Sequence, residues 1–430
     1  MMSVPARVAV VGSGPAGVYT VDALTRSGAA VSIDVFDRLP TPYGLVRYGV
    51  APDQKVKAVA TALGRILERP GVRFLGNVGI GADISVADLR RRYAAVVIAT
   101  GAPIDRPLGI PGETLPGSCA AGEFVSWYNG HPDRGTEFRL TMSAAAVVGA
   151  GNVALDVARM LVKQTGELVG TDVPDEVGAV LRERAVTDVY VLGRRGPESA
   201  RFTLPELRNL ERLDNVDVLV DPADLGAGPD PEVAARLRLW SQRAATGADR
   251  RIHLMFWRRP VEIVGESRVE ALLLEDVRTG EVELLPVGAV FHAVGFRGEQ
   301  VPGVPFDPVH ATVPTTGGRV TGSPGLYAVG WARRGPSGVI GSTKVDAAQV
   351  ARALLADLPE LPHPPDPRPE AITELLTERG VRYVTWEQWK RLDEFEIARG
   401  QHQGRPRAKL QDRAGMLAVM HGDPVREPRR

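Results

Sequence analysis

The chain has 430 residues, which suggests two or three domains, and its 44% hydrophobic and 24% charged content is that of a globular enzyme. Lysine plus arginine and aspartate plus glutamate balance at 52 each, so net charge gives no reason to expect nucleic acid or a membrane surface as partner. The single cysteine, Cys119, excludes an internal disulfide, a redox-active dithiol and four-cysteine metal sites, and the seven histidines show no metal-ligand spacing, so no metal is expected and redox chemistry would need a bound cofactor.

In chain order, Val8–Val11 reads as an apolar strand, followed by Gly12-Ser13-Gly14-Pro15-Ala16-Gly17, a helical run and a second strand ending in Phe36-Asp37. This is a dinucleotide-binding βαβ unit. Gly12 permits the tight turn, Gly14 lets the backbone approach a pyrophosphate, and Gly17 lets the helix pack on the sheet. Helix N-termini favour negative charge. Asp37 lies about twenty residues beyond Gly17, where an acid takes a ribose hydroxyl. The residues before this strand leave no room for a signal peptide, and no run of eighteen apolar residues exists. The cytoplasm is therefore the expected compartment. The segment from Leu39 to Asp53 is broken by proline and glycine and is either a loop over the cofactor or a surface loop.

Residues 56–69 are periodic as a helix, and Val72–Leu75 and Ala95–Ile98 read as strands. The latter ends in Ala99-Thr100-Gly101, beside the first loop. Ile104 to Pro116 reads as a crossing between domains. Cys119 reads as a buried small side chain.

A second βαβ unit opens with strand Ala144–Val148, Gly149-Ala150-Gly151-Asn152-Val153-Ala154 and a helix to about Lys163. Its second strand, Val189–Leu192, ends in Gly193-Arg194-Arg195-Gly196-Pro197. Two arginines replace the ribose-reading acid, and a guanidinium pair suits a 2′-phosphate, which points to NADP. The extra residues, about 164–186, read as an extended helix end and a loop. Residues 203–213 read as a helix. Arg236, Arg238, Arg243, Arg250 and Arg251 read either as one solvated helix face or as a docking surface for an acidic protein. Residues 252–294 alternate as strands. The last third returns to the first unit through a strand at Gly325–Gly330, a Gly-rich turn from Trp331 to Gly341 and a helix from Ser342 to about Asp357. Residues 359–369 form a proline-rich connector, and 370–399 two helices whose Trp386 and Trp389 serve packing. The tail after Gly400 reads as polar and partly disordered.

The fold class is therefore α/β, with two Rossmann-like, three-layer nucleotide-binding domains, the second inserted in the first. Residues 1–103 and 297–430 form the discontinuous FAD domain with a C-terminal helical extension, and 104–296 the NADP domain. With no dithiol, the economical pairing is FAD at the first loop and NADPH at the second.

Several runs carry a resemblance: Pro42-Tyr43-Gly44-Leu45-Val46-Arg47, Gly49-Val50-Ala51-Pro52-Asp53, Ile110-Pro111-Gly112-Glu113, Gly151-Asn152-Val153-Ala154-Leu155-Asp156, Gly193-Arg194-Arg195-Gly196-Pro197, Glu206-Leu207-Arg208 and Gly330-Trp331 through Gly341. The sequence resembles the adrenodoxin-reductase family of ferredoxin–NADP reductases, including bacterial members. The resemblance implies FAD contacts from Ala16, Asp37, Leu45, Ile80, Trp331, Gly338, Val339 and Ile340. These join Gly12, Gly14, Pro15, Gly17, Thr100, Gly101 and Gly330 of the strand ends. It implies NADP contacts from Asn152, Val153, Arg194, Arg195, Glu206 and Gly338, beside Gly149, Gly151 and Ala154. It further implies an acidic iron–sulfur ferredoxin as electron acceptor, indirect supply of a cytochrome P450, and a monomer. Two positions depart from the family pattern. Gln54 follows Ala51-Pro52-Asp53 where a histidine is usual, and Asn209 stands where relatives carry an acid. With Trp331 they are the near-flavin candidates; no catalytic residue is certain. They also leave open a diverged NADPH-dependent flavoenzyme acting directly on a small molecule or oxygen. A non-catalytic flavoprotein scaffold is the third reading, disfavoured by the arginine pair.

Overall fold

The computed structural model describes residues 5–133, 137–226, 230–338 and 340–424, with the backbone alone for Ile340. Short, largely apolar strands build two sheets. The first runs in the order Thr315–Thr316, Arg319–Val320, Leu326–Ala328, Ala95–Ile98, Ala6–Val11, Val31–Phe36, Val72–Leu75. The last five strands are parallel. Period-two alternation sends Val8, Val10, Ile33 and Val35 to one face, against helices Pro15–Arg26, Val59–Leu67 and Ile340–Asp357. Ala9, Val11, Val96 and Ile98 go to the other face, with Leu89 and Ile372. The chain leaves strand Ala6–Val11 toward one side and returns on the other, and that reversal opens a crevice at the carboxyl ends.

The second sheet lies wholly between residues 118 and 292. Its order is Ser118–Ala120, Ala289–His292, Ala144–Val148, Asp188–Leu192, Arg250–Met255, Val216–Val220, with every neighbouring pair parallel. One face packs on helices, and the other meets a three-stranded antiparallel sheet, Arg258–Val264, Ala271–Asp276 and Val282–Pro286, through Ile263, Leu272 and Leu274. The chain passes between the sheets twice. The two passages pair as short antiparallel strands, Ile104–Asp105 with Phe296–Arg297.

Three expectations change. The residues about 164–186 do not extend the preceding helix, which spans Asn152–Val162. A 3-10 turn, Thr165–Leu168, follows under a reciprocal Gln164–Glu167 cap, and a separate helix, Asp175–Glu183, starts after Pro174. Proline cannot continue a helix but suits its start. The arginine run is not one helix face. Helix Pro231–Gln242 stops before Arg243, while Arg250 and Arg251 lie on an inner strand; Arg251 grips Asp188 at 2.6 and 2.7 Å, and Arg236 pairs with Glu211. The described part of the tail is not wholly polar loop but carries a helix with an apolar face. Helix Trp386–Gln401 is followed by Arg413–His421, capped by Asp412 and closed by left-handed Gly422. Met416 and Met420, four residues apart, fall on one helical face and are fully buried in the first core. Met420→Ala should therefore destabilise the first unit by about 2–5 kcal/mol, seen as a lowered Tm with bound flavin otherwise intact. Trp386 and Trp389 pack as expected, edge-on to Phe74 and Tyr43. Cys119 is half-buried, with burial pushing its thiol up.

Candidate functional site

Strand Ala6–Val11 runs into Gly12 at φ +112°, and a side chain there would collide with the carbonyl of Ala99. A Cβ at Gly17 would collide with the carbonyl oxygen of Gly12. Gly14 differs. Nothing lies within 4 Å of where its Cβ would be, and its backbone (φ −69°, ψ 177°) suits any residue. Folding does not need glycine at Gly14, so the open cradle beside a helix start with no side-chain cap fits a pyrophosphate. Asp37 closes the loop from behind. Its Oδ2 accepts from Ser13 N at 2.9 Å and Ser13 Oγ at 2.5 Å, and its Oδ1 from Leu39 N at 2.9 Å. Burial pushes the Asp37 carboxyl up, against those bonds.

The segment from Leu39 to Asp53 lies over this loop. Tyr43 N donates to Ser13 O at 3.1 Å, and Gly44 approaches Gly14 so closely that an added Cβ would be 3.2 Å from the Gly14 Cα. Helix Leu45–Tyr48 leaves Leu45 49% exposed. Thr100 and Gly101 follow strand Ala95–Ile98, and Gly101 also faces open space. Gly330 packs on Ala16 and donates its N–H to Asp346 at 2.6 Å. Trp331 stacks on Phe296 at 6.3 Å, with Nε1 on Ser337 O at 3.1 Å. Gly338 sits against Ser342, and Ile340 begins helix Ile340–Asp357. Val339 lies outside the described residues. Ile80 is half-buried in the loop that Val78 N ties to Asp37 O at 2.8 Å.

The second loop repeats the design. A Cβ at Gly149, φ +143°, would meet the carbonyl of Ala293; Gly151 is open; Ala154 is fully buried against the sheet. Asn152 and Val153 begin the helix, and Asn152 Oδ1 accepts from Thr203 N at 2.9 Å. Arg194 and Arg195 are exposed after strand Asp188–Leu192, with no side-chain hydrogen bond or ion pair among the described residues. Two free guanidinium groups beside an open glycine fit a phosphate. Arg201 is equally exposed and bridges to Gly151 through the backbone, with Arg201 N on Ala150 O at 2.7 Å. Sequence reasoning missed it because no glycine pattern marks it. Asp346 was missed too; it lies sixteen residues beyond the strand end it pins, and only the fold joins them.

Gln54 and Asn209, 155 residues apart, are neighbours at the seam between the sheets. Gln54 Nε2 donates to Glu206 Oε2 at 2.7 Å and Asp156 Oδ1 at 3.1 Å. Asn209 Nδ2 donates to Glu206 Oε2 at 3.1 Å and Gln54 Oε1 at 3.4 Å. Arg159 joins Asp156 to Asp53. Trp331 shares no hydrogen bond or ring contact with this group among the described residues.

The description "Pyridine nucleotide-disulphide oxidoreductase" matches residues 6–353. The chain belongs to this family. With membership come its two nucleotides, FAD and NADPH. The chain is 40% identical to the NADPH-ferredoxin reductase FprA of Mycobacterium tuberculosis, over 96% of this chain and 99% of that protein. It is also 40% identical to the human mitochondrial NADPH:adrenodoxin oxidoreductase, over 96% and 92%. The solved structure of M. tuberculosis FprA in complex with NADPH superposes with a TM-score of 0.92 at 39% identity, covering 97% of this chain and all of that one. A histidine-to-glutamine mutant of the same FprA matches at 0.92 and 40%, with the same coverage. This pyridine nucleotide-disulphide oxidoreductase has one cysteine, so it forms no disulfide within the chain despite the family's name.

Burial, then the neighbouring Asp156, pushes the Glu206 carboxyl up. A carboxyl raised by folding stabilises below its unfolded value and loses that contribution as pH climbs through the folded one. Glu206→Gln keeps an acceptor for Gln54 and Asn209 but cannot ionise. Its Tm relative to the parent should thus improve from pH 5 to pH 8 in paired thermal scans.

Proposed function

We propose that the chain is an NADPH:ferredoxin oxidoreductase, an FAD-dependent enzyme taking electrons from NADPH to a small acidic iron–sulfur ferredoxin. The carrying observation is the pair of open glycine cradles in one chain, the second flanked by two free arginines, with no second cysteine to serve as a disulfide relay. Likeness to FprA and adrenodoxin oxidoreductase over 96% of the chain supports the acceptor. Residues 1–103 and 297–430 would hold FAD, and 104–296 NADPH; the paired passages Ile104–Asp105 and Phe296–Arg297 support those boundaries.

Bound together, the cofactors supply hydride transfer from nicotinamide to flavin and release of electrons one at a time. The chain supplies position. Gly12, Gly14, Pro15, Ala16 and Gly17 would cradle the FAD pyrophosphate, and Asp37 would take its ribose. Leu45, Ile80, Thr100, Gly101, Gly330, Trp331 and Gly338 would surround the rest. Gly149, Gly151, Asn152, Val153 and Ala154 would hold the NADP pyrophosphate, and Arg194 and Arg195 its 2′-phosphate. Glu206 and Gly338 would lie toward the nicotinamide. Holding both nucleotides on one frame converts an encounter into a positioned transfer.

We further propose a monomer, serving a cytochrome P450 through its ferredoxin, in the cytoplasm. Among the described residues no helix is long and apolar enough to cross a membrane, and a single cysteine gives no need for an oxidising compartment. Anaerobic titration with NADPH should bleach the flavin, and added ferredoxin should then reduce cytochrome c. Bleaching without reduction by any ferredoxin would sink the acceptor assignment. The departures at Gln54 and Asn209 motivate a second reading, direct reaction with a small molecule or oxygen. Fast NADPH oxidation in air without ferredoxin would support it.

A further inference from the structure

The insert at 164–186 and the C-terminal tail carry none of the proposed nucleotide contacts, and they meet each other. Segment 403–411 crosses the seam. Arg405 pairs with Asp175 and donates to Val173 O at 2.5 Å. Gln403 reaches Asp175 and Gln411 reaches Glu176, each at 3.4 Å. Between them Lys409 is buried, and its ammonium binds three separate pieces of chain: Asp172 Oδ2 at 2.7 Å, Asn129 O at 3.1 Å and Arg47 O at 3.2 Å. Asp172 and Asn129 belong to the second unit, and Arg47 to the short helix over the first glycine loop.

The surroundings reinforce the bridge. Lys57 Nζ also binds Asp172 and Asn129 Oδ1 at 2.9 Å. Burial works against ionised Asp172, yet Lys409 and Lys57 hold its carboxyl well below the usual carboxylate range. The other face of Arg47 is fixed by fully buried Glu396, which takes its guanidinium at 2.7 Å on both oxygens, and Leu410 N and Arg407 donate to the same carboxylate. Burying charge is costly unless it is paired and hydrogen-bonded, and here Lys409, Asp172, Glu396 and one end of Arg47 are so paired. A surface tail held loosely would need none of this.

We infer that Lys409 is a positioning residue: it straps the insert of the second unit to the loop over the first glycine site, and so sets how the two nucleotides face each other. This rests on the proposed reductase function. A change of about 1 Å in the reacting distance costs on the order of a hundredfold in rate, so a strap at the seam acts on transfer more than on binding.

The test compares Lys409→Met with the parent holoenzyme in anaerobic stopped flow and in amide hydrogen exchange. Asp175→Asn, at the exposed end of the strap, is the second variant. Lys409→Met should keep its FAD and lower the limiting rate of flavin bleaching about tenfold or more, with NADPH affinity moved about threefold or less. Amides of 165–176 and 45–57 should exchange faster together. Asp175→Asn should show the same pattern weakly, and decides the matter if Lys409→Met does not fold. Unchanged exchange in both segments, or an unchanged limiting rate in a folded variant, overturns the inference. If NADPH fails to bleach the parent protein, the reductase function falls, and the exchange result alone decides the strap.

Discussion

Replacing Arg194 and Arg195 together by alanine should lower kcat/KM for NADPH by about two to four orders of magnitude and leave that for NADH within a few-fold. A hydrogen bond to a charged group contributes about 1.5–3 kcal/mol, and each 1.4 kcal/mol is about tenfold in binding. Both guanidinium groups lack a side-chain partner among the described residues, so their removal breaks nothing else. NADH lacks the 2′-phosphate and has nothing to lose there. Steady-state kinetics with both cofactors check this, and equal losses would show that the pair does not read the phosphate. Arg201→Ala is the informative companion. If Arg201 reaches the pyrophosphate from its place beside Gly151, both cofactors weaken alike; if it reaches the 2′-phosphate, only NADPH does.

Local rules made the two nucleotide units legible. Each is a strand, a three-glycine-like turn and a helix within about thirty residues, and the strands Val72–Leu75, Ala95–Ile98 and Ala144–Val148 fall where their short apolar runs put them. The arginine pair stands out because two guanidinium groups occupy the place where an acid would read a ribose, and both are exposed in the structure. The seam was not. Gln54 and Asn209 stood out as two separate departures, and nothing local says that one amide bridges Asp156 and Glu206. The tail helix was hidden for a related reason. Its composition is polar, but Met416 and Met420 need only one apolar stripe once a core exists to receive it. Arg250 and Arg251 misled by sharing a charge run with a helix, when the helix ends at Gln242 and a strand begins at Arg250.

The sharper test of the first site is a contrast between two glycines three residues apart. Gly17→Val should fail to yield folded protein, because even its Cβ would occupy the space of the Gly12 carbonyl and force the helix off the strand. Gly14→Val should fold with a Tm near that of the parent stripped of flavin, since its backbone is ordinary and its Cβ meets nothing within 4 Å. It should nevertheless be colourless. The added methyl groups would stand where the pyrophosphate must approach the helix start, and the tight backbone contact that glycine permits there has no substitute. Flavin absorbance per protein, circular dichroism and anaerobic NADPH oxidation separate the cases. A yellow Gly14→Val protein would mean that the open space at Gly14 is not the FAD cradle. A folded, colourless one would show that glycine at position 14 is required by the ligand alone, as glycine at position 17 is by the fold.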